Sequence, residues 1–141
     1  MVLIGLDVGT VRVGVAKSDE LGMFAHPIGY VDRGKDEDFM QKIKELVATY
    51  TAEKVVVGLP LNLDGSHGLA AKTIMQLVDR IKECVPVGVE TWDERLSTKG
   101  AQRYMQAAPL SGKKKRKKVD SLAAQIMLQN YLDFYKVRNH E

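Results

Sequence analysis

An unbroken apolar run at the start of the chain, Val2–Leu6, constrains the fold more than any other feature. A strand without a polar residue must be covered on both faces, which is typical of a central strand between helical layers. β-Branched residues return in Val11–Ala16, and Gly9 offers the positive φ of a tight turn, so the two runs predict a hairpin. A third strand is expected within Met23–Val31, where Pro27 favours an edge position or a bulge.

The middle of the chain alternates between helical and strand patterns. Apolar residues at helical spacing predict one helix over Lys35–Tyr50 and another over Ala70–Ile81. Short strands are expected at Val55–Val57 and Val87–Thr91. A third helix is predicted from Ser97, a good N-cap residue.

A last helix is expected from about Asp120 to Tyr135, after a helix break at Pro109–Gly112. The order βββαβαβαα predicts an antiparallel meander plus two strands parallel to strand one, because each of these follows a helix. The expected fold class is therefore α/β, a five-stranded mixed sheet with helices on both faces. A length of 141 residues without a long linker predicts a single domain, 1–141.

The charge is unevenly distributed along the chain. Six of the 21 basic residues are consecutive, and the other 15 are outnumbered by 18 acidic residues, so one segment of charge +6 interrupts a chain whose remaining residues sum to −3. This asymmetry favours a polyanionic partner, and we expect the segment to be a flexible loop that binds a phosphate backbone. The alternative is a solvated loop without a partner; a membrane contact is less favoured because no amphipathic pattern is present. The segment consists of Lys113, Lys114, Lys115, Arg116, Lys117 and Lys118.

Several classes of protein are excluded by simple counts. The single cysteine, Cys84, argues against a disulfide scaffold and for a reducing compartment, so we expect a cytoplasmic protein. No apolar run approaches the ~20 residues of a membrane span, and the N-terminus lacks the pattern of a signal peptide. The three histidines, His26, His67 and His140, are too scattered for a zinc site.

Acidic residues fall at the ends of predicted elements, where functional sites of α/β sheets tend to lie. Asp7 ends strand one, Asp93 and Glu94 follow strand five, and Asp120 opens the last helix, where the helix dipole favours its anion. If these carboxylates converge, they provide oxygen ligands suited to Mg²⁺ or Mn²⁺. The alternatives remain open: turn residues, a helix cap, or a solvated ion pair with Arg95.

Four blocks of sequence, in this order, resemble the motifs of the YqgF (RuvX) family. They are Gly5–Ala16, Val56–Ser66, Asp93–Thr98 and Lys118–Ala124. The resemblance covers nearly the whole chain and implies a ribonuclease H-like fold, related to that of the Holliday junction resolvase RuvC. Members of the family are described as nucleases that mature the 5′ end of pre-16S rRNA in the bacterial cytoplasm.

The resemblance also implies which acids are catalytic. Carried over by position, Asp7, Glu94 and Asp120 are the metal-binding catalytic residues. In the broader ribonuclease H pattern the second acid leaves strand four, whereas here strand four ends without one. The acid comes instead from strand five, as Asp93 or Glu94, and Asp64 is a weak substitute because Asp-Gly is a turn pair.

Other polar residues are candidates for substrate binding. Thr10 and Arg12 on the hairpin are placed to contact a phosphate, and Asn62 to orient substrate or water. Arg95 is a candidate either to pair with an acid or to clamp a phosphate. Trp92 is expected to pack in the core rather than stack on a base.

The function predicted from the sequence is metal-dependent hydrolysis of phosphodiester bonds in an RNA, most simply a precursor of rRNA. One alternative is a resolvase of branched DNA, which needs two coordinated cuts and therefore a homodimer, for which the apolar last helix offers a contact. Another is a nucleic-acid-binding module with an inactive site. Asp7–Thr10 also resembles the first phosphate loop of actin-like and sugar kinases, but those folds need two such domains and a longer chain.

Overall fold

The computed structural model describes the backbone of residues 1–96 and 112–139, and the side chains of residues 1–95 and 121–135. The five strands of these ranges are β1 (Leu3–Val8), β2 (Arg12–Ser18), β3 (Ala25–Asp32), β4 (Lys54–Leu59) and β5 (Gly88–Asp93). The α-helices are α1 (Asp36–Thr49), α2 (Leu69–Cys84) and α3 (Gly112–Asn139), and a 3₁₀ turn (Glu94–Leu96) follows β5. The helix predicted from Ser97 lies outside the described residues.

The strands form one mixed sheet in the order β3-β2-β1-β4-β5. β1 pairs antiparallel with β2 and parallel with β4, and β4 pairs parallel with β5, which confirms the predicted sheet. The prediction for Pro27 is also confirmed, since β3 is an edge strand and its register against β2 shifts between Val15 and Ala16. The ribbon of three antiparallel strands therefore continues into the parallel half through β1, at the centre.

β1 is covered on both faces, as its apolar sequence predicts. Ile4 and Leu6 pack into a core beneath α1 and α2, whereas Leu3 belongs to a second core beneath α3. Successive side chains of a strand point to opposite faces, so one face of the sheet packs against α1 and α2 and the other packs against α3. Trp92 of β5 lies in the second core with only 5% of its surface exposed, which confirms the expectation of core packing.

Helix α3 approaches β1 closely because residue 5 has no side chain. A Cβ atom on Gly5 would lie 3.0 Å from Cβ of Leu128, tighter than ordinary contact. About one turn further along, the helix is also held by the Tyr131 hydroxyl, which donates to Glu90 of β5 (Oη–Oε2 2.6 Å). Leu128 and Tyr131 thus fix the height and position of α3 above the sheet.

We predict that Gly5→Ala destabilises the protein by about 1–3 kcal/mol, because the added methyl group must push α3 away from β1. Gly88→Ala is the matched control, since a Cβ at Gly88 meets open space. Urea unfolding of both variants checks the prediction. A loss of stability of equal size in both would show that the packing of α3 on Gly5 is not the cause.

The start of α3 differs from the sequence-based expectation. The helix begins at Gly112, so the basic segment 113–118 is helical, and the prediction of a flexible loop is wrong. Asp120 is consequently the ninth residue of the helix, and a stabilising role at its N-terminus is wrong as well. Lysine and arginine are good helix formers, and nothing between Gly112 and Asp120 interrupts a helix that tertiary packing holds further along. Among the helices of the described ranges, none is both long and apolar enough to cross a membrane.

Candidate active site

Three residues meet at the carboxyl ends of β1, β4 and β5. Strand alternation places Asp7 and Gly58 on the face covered by α3, two positions beyond Gly5 and Val56, which pack against it. Glu94 opens the 3₁₀ turn after β5, and its carboxyl group lies against Gly58 on the same face. β1 and β5 are not neighbours, because β4 lies between them. Acids from these two strands can therefore meet only across the end of β4.

The structure brings Asp7 and Glu94 together across Gly58. The two carboxyl groups lie close enough for a hydrogen bond between them to raise the pKa of Glu94. A Cβ atom on Gly58 would collide with the Glu94 carboxyl group, whose carbon lies 3.1 Å from the Cβ position. A residue with a Cβ atom at position 58 would therefore displace the Glu94 carboxyl group from its present position beside Asp7. In the sequence, Gly58 indicates only the end of a strand, so its role beside the acids was missed. The sequence signal that could have identified it is a glycine at the end of a strand that lies between two strands that end in acids.

The proximity of the two acids changes their electrostatics. Partial burial, with the negative charge of Asp7 and the hydrogen bond to it, raises the pKa of Glu94 to about 8. Without a counter-charge the pair therefore holds one proton at neutral pH. Such a pair of carboxylates is a strong acceptor for a cation, which removes the repulsion and displaces the proton.

We predict that Glu94 makes the stability of the metal-free protein depend on pH. Its folded-state pKa lies above its ordinary value of 4.5, so its contribution is complete below pH 4.5 and is lost as the pH rises to about 8. In EDTA, the free energy of unfolding of wild type should fall by about 1–3 kcal/mol more than that of Glu94→Gln between pH 5 and 9. This is less than the whole pKa shift would give, because solvent reaches the pair and screens the two charges. Urea unfolding at both pH values, with Glu45→Gln on the exposed face of α1 as control, measures this difference. Parallel pH profiles for wild type and Glu94→Gln would contradict it.

Arg95 pairs with an acid rather than projecting freely. Its Nε lies 3.0 Å from both carboxylate oxygens of Asp93, and its Nη2 lies 2.7 Å from one of them. Its Nη1 donates to the carbonyl of Leu63 (3.2 Å) in the loop after β4. Asp93 accepts these bonds, which lower its pKa. The guanidinium thus joins the segment that bears Glu94 to the loop between β4 and α2.

That loop, which we call the β4–α2 loop (residues 60–68), is held together internally. Asn62 donates from Nδ2 to Oγ of Ser66 (3.0 Å), and Ser66 donates through its backbone N–H and hydroxyl to Asp64 (2.9 and 2.6 Å). These bonds lower the pKa of Asp64, and Gly65 has the positive φ of +87° expected for an Asp-Gly turn. Asn62 and Asp64 therefore shape the loop, and the turn predicted for Asp64 is present.

The hairpin between β1 and β2 lies at the same end of the sheet. The Gly9 backbone N–H donates to the carbonyl of Arg12 (2.8 Å), and the exposed Thr10 lies between them. The Arg12 guanidinium lies over the ring of Tyr30, 5.1 Å from its centre. Arg33, which the sequence analysis missed, donates to the Gly9 carbonyl (3.4 Å) and adds a second cation at this hairpin. One arginine among many charged residues gives no sequence signal of such a position.

Asp120 lies in α3 two turns before Leu128, the residue that touches Gly5. Helical periodicity keeps positions 120, 124 and 128 on neighbouring parts of one side of the helix. Tyr131, later in α3, lies near the start of β4, so the residues before it extend towards the end of the sheet where Asp7 lies. The side chains of Asp120 and of residues 113–118 are outside the described side chains. Among those described, no three histidine, cysteine, aspartate or glutamate residues form a group that could hold a metal ion.

Comparison with known proteins agrees with this architecture. A family model described as "RuvX: Holliday junction resolvase" matches residues 1–134. This chain belongs to the RuvX family. A relative from Desulforamulus reducens is 36% identical over 133 residues, covering 94% of this chain and 97% of its own. Another, from Halothermothrix orenii, is 40% identical over 134 residues, covering 95% and 96%. Both bear the name "Putative pre-16S rRNA nuclease".

Solved structures of resolvases share the fold. RuvC of T. thermophilus, in complex with a Holliday junction substrate, matches with a TM-score of 0.56 at 14% identity over 96% of both chains. The fowlpox virus Holliday junction resolvase matches with a TM-score of 0.56 at 12% identity, over 95% of this chain and 99% of its own. The RuvX chain thus has the ribonuclease H-like fold that its sequence motifs imply.

Proposed function

We propose that this RuvX protein is a divalent-metal-dependent nuclease that hydrolyses phosphodiester bonds of precursor 16S rRNA in the bacterial cytoplasm. We propose further that one domain, 1–141, bears the activity and that Asp7, Glu94 and Asp120 are its catalytic acids. The observation that supports this most is the meeting of Asp7 and Glu94 across Gly58. The names of the relatives support the choice of RNA as substrate.

The acid pair fits a hard divalent cation. Its donors are carboxylate oxygens, the ligands that Mg²⁺ and Mn²⁺ prefer. The two groups are close enough to share a hydrogen bond, so a cation between them would replace the proton that they hold. In this proposal Asp7 and Glu94 hold the metal and Asp120 of α3 is a third ligand.

The bound metal would supply Lewis-acid stabilisation of the phosphate charge and a water nucleophile at neutral pH. The protein's own residues provide the rest. Gly58 leaves room for the Glu94 carboxyl group, and Gly9, two residues beyond Asp7, lets the hairpin close tightly, because a Cβ atom there would lie 2.7 Å from the carbonyl oxygen of Arg12. The Asp93–Arg95 pair fixes the backbone on either side of Glu94, which limits how far that carboxylate can move.

Phosphate binding is the role we propose for the basic segment of α3, together with Thr10 and Arg12 on the hairpin. Six consecutive helical positions go more than once around the helix axis. About half of them can therefore face a single nucleic-acid strand, fewer than a flexible loop would present. Their contribution is affinity that is independent of base sequence.

We predict that Asp7→Asn lowers the rate of metal-dependent cleavage by at least about 100-fold, because a direct metal ligand is lost. Asp79→Asn, the same chemical change on the exposed face of α2, should leave the rate unchanged. The measurement is cleavage of a precursor 16S rRNA fragment with Mg²⁺, with Mn²⁺ and in EDTA, after circular dichroism has confirmed folding. Undiminished cleavage by Asp7→Asn, or equal cleavage in EDTA, would disprove the proposed site.

A second candidate function, resolution of branched DNA, is favoured by the family model's description and by the shared fold of RuvC. Two coordinated cuts require a symmetric dimer. The same assay on a four-way DNA junction, with sedimentation of the complex, distinguishes the two candidates. Cleavage of the junction in preference to the rRNA fragment by a dimer would favour the resolvase. Binding of either nucleic acid without cleavage would indicate a binding module.

A further inference from the structure

The β4–α2 loop presents a leucine almost completely to solvent. Leu63 is 96% exposed, the highest value among the large apolar side chains that the structure describes as exposed. Scattered exposed leucines are common on protein surfaces. Leu63 differs because of how its loop is held and where the loop lies.

The loop backbone is fixed around Leu63. The backbone N–H groups of Asn62 and Gly65 donate to the carbonyls of Ser66 and Asn62 (3.0 and 2.8 Å). The carbonyl of Leu63 itself accepts from Arg95 (3.2 Å), whose guanidinium also lies 3.5 Å from the Cβ position of Gly65. An apolar side chain on such a loop has little conformational freedom left in its backbone, so contact with a partner costs little ordering entropy.

The loop lies beside the acid pair. It begins two residues after Gly58, where β4 ends, and Arg95, which holds it, follows Glu94 in the chain. A strand whose phosphate reaches Asp7 and Glu94 must therefore pass close to this loop. The polar side chains of Asn62, Asp64 and Ser66 already bond to one another, which leaves the exposed side chains of Leu63 and His67 to contact such a strand, and Leu63 is the apolar one.

We infer that Leu63 is a substrate-contacting residue that packs against a nucleobase next to the cleaved phosphate and opens the base stack there. This inference rests on the proposed function. Apolar side chains inserted between bases unstack them in other protein–nucleic acid complexes, and a phosphate would be repelled by the neighbouring Asp64. A base, with its apolar face, is the part of the strand that matches leucine.

The test uses 2-aminopurine, a base whose fluorescence rises when it is unstacked, in an RNA fragment whose cut site has been mapped with wild type. The base is placed on either side of that site, and binding is measured in EDTA so that the strand stays intact. Wild type should raise the fluorescence. Leu63→Ser should lose more than half of the rise and bind about tenfold more weakly, in line with the burial of part of a leucine. Leu63→Phe, which remains apolar, should keep the rise.

Leu21→Ser is the matched control, since Leu21 is 82% exposed in the β2–β3 connection at the opposite end of the sheet. It should behave as wild type. In the second arm, the same measurement is made on a four-way DNA junction with 2-aminopurine beside its cut sites. Comparing the fluorescence rise on the two substrates shows whether Leu63 contacts a base of RNA or of branched DNA.

The outcomes separate the two proposals. If wild type cuts its substrate but Leu63→Ser gives the same fluorescence and affinity, the inference is wrong and a protein contact becomes the better explanation of Leu63. An equal loss in Leu21→Ser would also overturn it. If wild type cuts neither nucleic acid, the proposed function fails and the inference fails with it.

Discussion

The meeting of two carboxyl groups across a glycine is the interaction on which the rest of this structure depends. Asp7 lies in β1 and Glu94 directly follows β5; these strands are not neighbours, and the strand between them leaves room for the Glu94 carboxyl group at Gly58. Burial and mutual repulsion make this arrangement costly for an empty protein. The proton that the pair holds at neutral pH relieves the repulsion, and the strands beneath keep the two carboxyl groups in place.

The rigidity comes from the two cores. β1 and β4 are buried on both faces, by α1 and α2 on one side and by α3 on the other, so their ends cannot shift independently. Gly5 lets α3 rest directly on β1, and the Tyr131–Glu90 bond holds the helix over β5. The same helix extends from Asp120 back into the basic segment, so one element connects core packing, the third proposed ligand and the segment proposed to bind phosphate.

Much of the fold follows from the sequence, and the parts that do not have physical reasons. The uninterrupted apolar run of β1, the edge position of Pro27 and the parallel strands after each helix are local or pairwise patterns, and all are confirmed. The predicted start of α3 was wrong because a run of like charges suggests a loop. Helix propensity, together with packing further along the helix, extends it back to Gly112. Acids at strand ends could be listed from the sequence. Gly58 between them could not, because its importance depends on strand order.

The roles of Arg95 and Leu63 show the same limit. The sequence offers Arg95 as a partner of an acid or of a phosphate, and only the three-dimensional structure shows its guanidinium engaged by Asp93 and the Leu63 carbonyl. Exposure of Leu63 cannot be deduced from a pattern, since apolar residues near a strand end are more often buried. The two residues are linked by the hydrogen bond from Arg95 to the Leu63 carbonyl, which only the folded β4–α2 loop makes possible.

The most direct test of the central claim is a crystal structure of the wild-type protein soaked with Mn²⁺, with the metal located by its anomalous scattering. We expect a peak within coordination distance of carboxylate oxygens of both Asp7 and Glu94, and its loss in Asp7→Asn crystals soaked in the same way. A fully soaked wild-type crystal with no peak at this pair, or with its peak bound elsewhere, would contradict the assignment of Asp7 and Glu94 as the metal site.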